Sequence, residues 1–165
     1  MASRFFCISI LCFLIYQTKA QDVKSTWSIS SGYETNYTGN NFSIHSNHIL
    51  FDKHHLGYGV NYNTSDGFSF NPVLGLGLSY GYKVVESSNW SVLLGLEYRR
   101  QKPLKIVNIQ LINYTTTVKY SLSEKWQLES KVGYGVAAER AASAGSFAQS
   151  NNISGMFYFG CGYRL

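Results

Sequence analysis

From Asn71 to Arg100 the chain reads NPVLGLGLSYGYKVVESSNWSVLLGLEYRR, and its polarity flips at almost every step. Leu74, Leu76, Leu78, Tyr80 and Tyr82 share one parity, and Gly75, Gly77, Ser79, Gly81 and Lys83 share the other. After a polar break at Glu86-Ser87-Ser88 the alternation restarts. Trp90, Val92, Leu94, Leu96 and Tyr98 now stand against Ser91, Gly95, Glu97 and Arg99. Side chains of a strand point alternately to its two faces, so each run builds one apolar and one polar, glycine-rich face. Two such runs across a short turn predict an antiparallel hairpin. The apolar faces are wide and aromatic over about ten residues, the length of a tilted strand crossing a bilayer. The hairpin therefore reads as a quarter of a membrane barrel.

The N-terminus supports export. Arg4 supplies a positive region, residues 5–16 an apolar core, and Thr18 and Ala20 small residues before a cut ahead of Gln21. Twelve apolar residues are too few for a spanning helix, and Leu11 before Cys12 argues against a lipoprotein signal. The expected organisation is thus a signal peptide at 1–20 and one barrel domain at 21–165. Cys7 and Cys12 leave with the signal, so Cys161 stands alone and no internal disulfide can form. Charged residues make up only 14% of the 165, with thirteen tyrosines and fifteen glycines. A soluble domain carries about a quarter charged residues. The formal charge of +5 falls to about +3 once Arg4 and Lys19 are removed. That is too mild to indicate a nucleic-acid partner.

Taken in order, the alternation predicts strands at about 24–37, 42–51, 55–63, 74–83, 90–99, 109–122, 126–136 and 152–165. Trp27, Ile29, Tyr33 and Tyr37 form the apolar parity of the first, opposite Ser28, Ser30, Gly32, Glu34 and Asn36. The second places Ser43, His45 and Asn47 inward, and Phe42, Ile44, His48 and Leu50 outward. Turn signals fall at 38–41, 52–54 and 123–125. Connections at 52–54, 84–89 and 123–125 are short; those at 64–72, 100–108 and 138–151 are long, with Pro72 and Pro103 between strands. The last of these is small and polar, as in a mobile loop. Short turns on one rim and long loops on the other suit an outer-membrane barrel, and an even strand count puts both termini on the periplasmic side.

An export signal, eight amphipathic strands and a final strand ending FYFGCGYRL resemble the small outer-membrane barrels of the OmpA-transmembrane or OmpX type. The C-terminal residues that carry the likeness are Phe157, Phe159, Tyr163 and Leu165, although many such barrels end in Phe and this chain ends Tyr-Arg-Leu. A mature chain opening at Gln21 is similar to exported proteins of Bacteroidota. The resemblance implies an all-β, eight-stranded antiparallel up-and-down transmembrane barrel in the cell outer membrane. It also implies insertion by the barrel assembly machinery, contact with outer-membrane lipid and lipopolysaccharide, a monomeric state, and no cofactor or metal.

The inward parity carries Glu34, Lys83, Glu97, Arg99, Lys119, Glu129, Lys131 and Arg164. An eight-stranded barrel has an interior just wide enough for side chains, so charges there must pair or meet water. Such a set reads as a gated ion or proton path, with minor porin activity, or as a static salt-bridged plug, and the plug is the preferred reading. The inward glycines would make room for these long side chains. Arg99, Arg100, Lys102 and Lys105 read as a basic loop suited to lipopolysaccharide phosphates, or simply as a solvated loop. Asn-x-Ser/Thr sequons at Asn36, Asn41, Asn63, Asn89, Asn113 and Asn152 follow from a polar lumen without glycosylation.

Two readings compete with a non-enzymatic membrane barrel. A secreted lipocalin-like carrier, also eight-stranded, needs the apolar parity to line a cavity. A lipid A-modifying barrel enzyme needs a catalytic set, and a dense polar cluster stands at His45-Ser46-Asn47-His48 with His54 and His55 nearby. Adjacent His45 and Ser46 point to opposite faces and could not share a site, and the histidine spacing matches no metal-ligand motif. Cys161, on the apolar parity, reads as a small residue facing lipid.

Overall fold

In a computed structural model, residues 26–64, 74–104, 107–143 and 146–165 are described. The expected export signal, nearly all of the 64–72 connection and Lys105 lie outside them. Eight strands follow one another: β1 (Thr26–Asn36), β2 (Gly39–Leu50), β3 (His54–Asn63), β4 (Leu74–Glu86), β5 (Trp90–Leu104), β6 (Val107–Ser121), β7 (Trp126–Ser143) and β8 (Ser146–Arg164). Each pairs antiparallel with the next, and β8 closes on β1 from Ser28–Arg164 to Thr35–Phe157. Closure leaves no open sheet edge along that span, which is what backbone needs in a solvent that cannot hydrogen-bond.

The parity predicted along the strands holds, except at Tyr37. Leu74, Leu76, Leu78, Ile112, Tyr114, Tyr134, Ile153, Phe157 and Phe159 are all exposed on the outer wall, while Ser28, Glu34, Asn61, Glu97, Asn113 and Gln127 are buried inside. This is a polar core inside an apolar coat. The carrier reading needed the reverse. Aromatic residues mark both ends of the apolar band. Trp27, Trp90 and Trp126 all open or nearly open their strands at the end bearing the chain termini, with Trp126 edge-on to Tyr163 at 5.1 Å. Tyr33, Phe42, Tyr62 and Tyr98 lie toward the far end. Such belts sit at lipid headgroup level.

The strands run further than their sequence pattern. The basic stretch 100–108 was expected to be a long loop. Instead β5 continues to Leu104 and β6 starts at Val107, with irregular pairing between Gln101 and Leu104. Pro103 sits inside β5 at that irregularity, where its missing N–H breaks no regular ladder. Likewise 138–151 is mostly an extension of the β7–β8 hairpin, paired as far as Ser143–Ser146. Alternation fades there because a hairpin rising past the lipid is wet on both faces. The 84–89 connection shrinks to three residues: β4 runs on through Val84 and Val85 with a register shift after Lys83, which exposes both valines on the outside.

Turns are locally determined. At the far end of β1–β2, the Asn36 side-chain oxygen accepts hydrogen bonds from the Thr38 backbone N–H (2.8 Å) and hydroxyl (2.6 Å), and Gly39 adopts φ 101°. That backbone is strained for any residue with a Cβ. β2 therefore begins at Gly39 itself, and Tyr37, expected on the lipid face, is a turn residue leaning over the barrel mouth.

Candidate functional site

The lumen carries most of the chain's buried polarity, and its contents are layered. At mid-height, Arg99 on β5 is 2% exposed and pairs with both Glu34 across the barrel on β1 and Glu97 two residues back on its own strand. Glu97 also accepts from Lys131 Nζ on β7 at 2.8 Å. Four of the eight predicted lumen charges thus form one network of two cations and two anions. Its members lie on strands from opposite sides of the barrel, so together they span the bore. Lys131 Nζ additionally sits 5.5 Å from the ring centre of Tyr158, which is edge-on to His45 at 5.4 Å. Room for these groups comes from inward glycines. A Cβ on Gly59 would lie 2.5 Å from His45 Nδ1, and one on Gly133 would lie 2.5 Å from Met156 Cγ.

Toward the terminal end a second pair, Lys119–Glu129 (2.9 Å), stands apart from the network. Between the two lies a cavity of about 40 Å³, bordered by Lys131, Lys119, Glu129, Thr115, His45 and His55. At roughly 10–15 Å³ per water-sized site, it suits about three or four waters. The remaining predicted charges are not brought in. Lys83, its side chain 14% exposed, pairs with Glu86, which is 65% exposed, and Arg164 donates to Gln127 Oε1 (3.2 Å) and Ser121 Oγ (2.9 Å) instead of meeting a carboxylate. Both lie at the terminal rim, where water can compensate them.

Toward the far end an apolar cluster joins a lining that stays polar at Asn41, Asn61 and Gln101. Ile109, Leu111 and Ala137, each 0–1% exposed, cluster in the lumen with Tyr37 and Val107 packed against them. The Tyr37 hydroxyl donates to Glu139 Oε1 (2.7 Å) and accepts from Asn152 Nδ2 (2.8 Å). That contact joins the β1–β2 turn to the β7–β8 extension, and the bond to the Glu139 carboxylate, followed by burial, pushes the phenol above its usual range. None of these apolar lumen residues, nor Tyr158, Met156 or the Gln101–Asn41 bond (3.1 Å), stood out in the sequence. The even parity of Tyr158 with Gly160 and Gly162 was the available signal.

The remaining predicted sites separate. Arg100 and Lys102 are exposed on the outer side of β5 and not in a loop. His45 is buried in the lumen and Ser46 lies on the outer wall, as the parity predicted. The four histidines do not converge: His45 and His55 face the cavity, whereas His48 stacks on Trp27 (4.4 Å) and His54 Nδ1 lies 2.9 Å from the Tyr80 hydroxyl on the outer wall. Phe157, Phe159 and Leu165 are exposed on the coat, with Tyr163 and Cys161 half-buried among them.

A closed, eight-stranded barrel with a polar filling and an apolar, aromatic-belted coat is a membrane barrel. Among solved structures, the N-terminal β-barrel domain of Pseudomonas aeruginosa OprF superposes with a TM-score of 0.60 at 10% identity, covering 87% of this chain and 100% of that one. The outer membrane protein AlkL gives 0.54 at 13% identity, covering 88% and 92%. A de novo designed transmembrane β-barrel gives 0.60 at 11% identity, covering 85% and 95%. No protein-family model matches the chain, and no curated protein matches its sequence. The fold is that of the small eight-stranded outer-membrane β-barrels. A designed barrel superposes as well as a natural one, so the fold alone assigns no activity.

Proposed function

We propose that this protein is a non-enzymatic outer-membrane barrel that acts through its structure and surface contacts, with a lumen closed to diffusive flow. The observation that carries the reading is the Glu34–Arg99–Glu97–Lys131 network spanning the bore, backed on its far side by Ile109, Leu111 and Ala137. A gated path would need these partners to exchange, and each exchange would leave a buried charge unpaired at a cost of several kcal/mol. The chain enters the membrane by the barrel assembly machinery, stays monomeric, and has its termini in the periplasm and its far end in contact with outer-leaflet lipid. His45 and Ser46, on opposite faces, give no support to a lipid A hydrolase. The test is conductance of the refolded barrel in planar bilayers. The expected record is a flat baseline, and steady unitary currents would overturn the plug.

A further inference from the structure

The outer wall is not smooth. Between β2 and β5 a depression of about 620 Å³ is bounded by Ile44, Tyr58, Leu76, Leu78 and Tyr98, and its floor reaches the backbone at Gly59 and Gly77. It shares Tyr58, Leu78 and Tyr98 with a second depression of about 540 Å³ that continues to Leu56, Leu96 and Ile112. The two form one apolar trough down the membrane face. Arg100 stands at the edge of the first depression, one outward position beyond Tyr98 and at the far limit of the aromatic belt.

An arginine facing lipid is costly at the midplane and much less so near the interface. Arg100 therefore belongs at headgroup level, and there it still needs an anion. Among the described residues it has no carboxylate partner. Its Nε donates to Asn108 Oδ1 (3.0 Å), which fixes the guanidinium plane and leaves its two terminal amino groups unengaged. Lys102, two residues further along the same face, adds a second cation. A phosphate binds such a fork through two parallel hydrogen bonds. Acyl chains attached to that phosphate's headgroup would lie downward, along the trough.

We infer that Arg100 and the trough below it form a binding site for one phosphorylated, multiply acylated glycolipid of the lipid A class. The two joined depressions suit several acyl chains carried by one head, and Arg100 with Lys102 suits a head with more than one phosphate. The assignment rests on the proposed orientation, in which the far end faces the outer leaflet.

Native mass spectrometry of the detergent-extracted barrel tests the site. The probes are lipid A, dephosphorylated lipid A and phosphatidylglycerol. Wild type is expected to retain one lipid A in preference to both others. Arg100→Gln should lower retention roughly tenfold, the lower end of what a charge-assisted contact provides. Ser46→Phe, which fills the trough and leaves the Arg100 side chain in the sequence, should lower it as well. Both substitutions lie on the outer wall, and a preserved heat-dependent gel shift would show that they fold. Equal retention of phosphatidylglycerol, or unchanged lipid A retention in both variants, would overturn the site. Orientation is read separately. Ser150→Cys in a Cys161→Ala background should react with a membrane-impermeant thiol reagent applied to whole cells. Lack of labelling would sink the orientation and with it the assignment to the outer leaflet, while the binding preference in detergent would still stand or fall on its own.

Discussion

Toward the terminal end of the lumen, Lys119 and Glu129 face a cavity large enough for water, and Lys83 and Arg164 lean to the rim. Toward the far end, Ile109, Leu111 and Ala137 pack together as one buried apolar cluster. The Glu34–Arg99–Glu97–Lys131 network lies between. The terminal half thus holds charges beside a water-sized space, and the far half holds an apolar cluster beside the buried amides of Asn41, Asn61 and Gln101. The difference also predicts how each level responds to damage. A charge next to water loses little when its partner goes, and one enclosed by protein loses much.

The largest effect is expected from Arg99→Ala, which leaves Glu34 and Glu97 facing each other without their shared cation. About 3–5 kcal/mol of stability should go, read by denaturant unfolding in lipid vesicles. A loss below about 1 kcal/mol would mean that water already reaches mid-height. Leu111→Ala should come next, at about 2–3 kcal/mol, because a fully buried leucine leaves a cavity that a closed barrel cannot collapse. Glu129→Gln should cost less, about 1–3 kcal/mol, since its buried partner Lys119 borders a water-sized space. If Glu129→Gln proved as damaging as Arg99→Ala, the contrast between the halves would be wrong.

The legibility of this chain tracks the solvent on each side of its wall. Where lipid lies outside and polar groups inside, period-two alternation is forced, and the faces of β3, β4, β6 and β7 could be read residue by residue. Alternation lapses where that contrast ends. Past the lipid, the β7–β8 hairpin is wet on both sides and reads as a loop although it is paired to its tip. Inside the far mouth, Ile109 and Leu111 are apolar on the inward parity and look like pattern noise. The charged residues were legible as a set but not as a network. Which carboxylate meets Arg99 depends on which strands face each other across the bore, and that follows from closure and stagger, not from spacing along the chain. Arg100 was legible as basic and misplaced in a loop, because nothing local distinguishes a strand leaving the membrane from a turn.

The smallest effect sharpens the far end. Tyr37→Phe keeps the ring over the apolar cluster but removes the hydroxyl that links Glu139 and Asn152. A half-exposed hydrogen bond of this kind is worth about 0.5 kcal/mol, so global unfolding should barely move. The effect should appear as faster amide hydrogen exchange in the β1–β2 turn and the outer part of β8. It also has a pH signature. The Glu139 bond raises the folded-state pKa of Tyr37 above its unfolded value. The contact is therefore fully present below the ordinary tyrosine range and is lost as pH rises through the higher folded value. Wild-type exchange at the mouth should accelerate across that alkaline window until it matches Tyr37→Phe, and the variant should show no such step. A wild type as fast as the variant at neutral pH would mean that the hydroxyl does not hold the mouth closed, leaving the apolar cluster to do so alone.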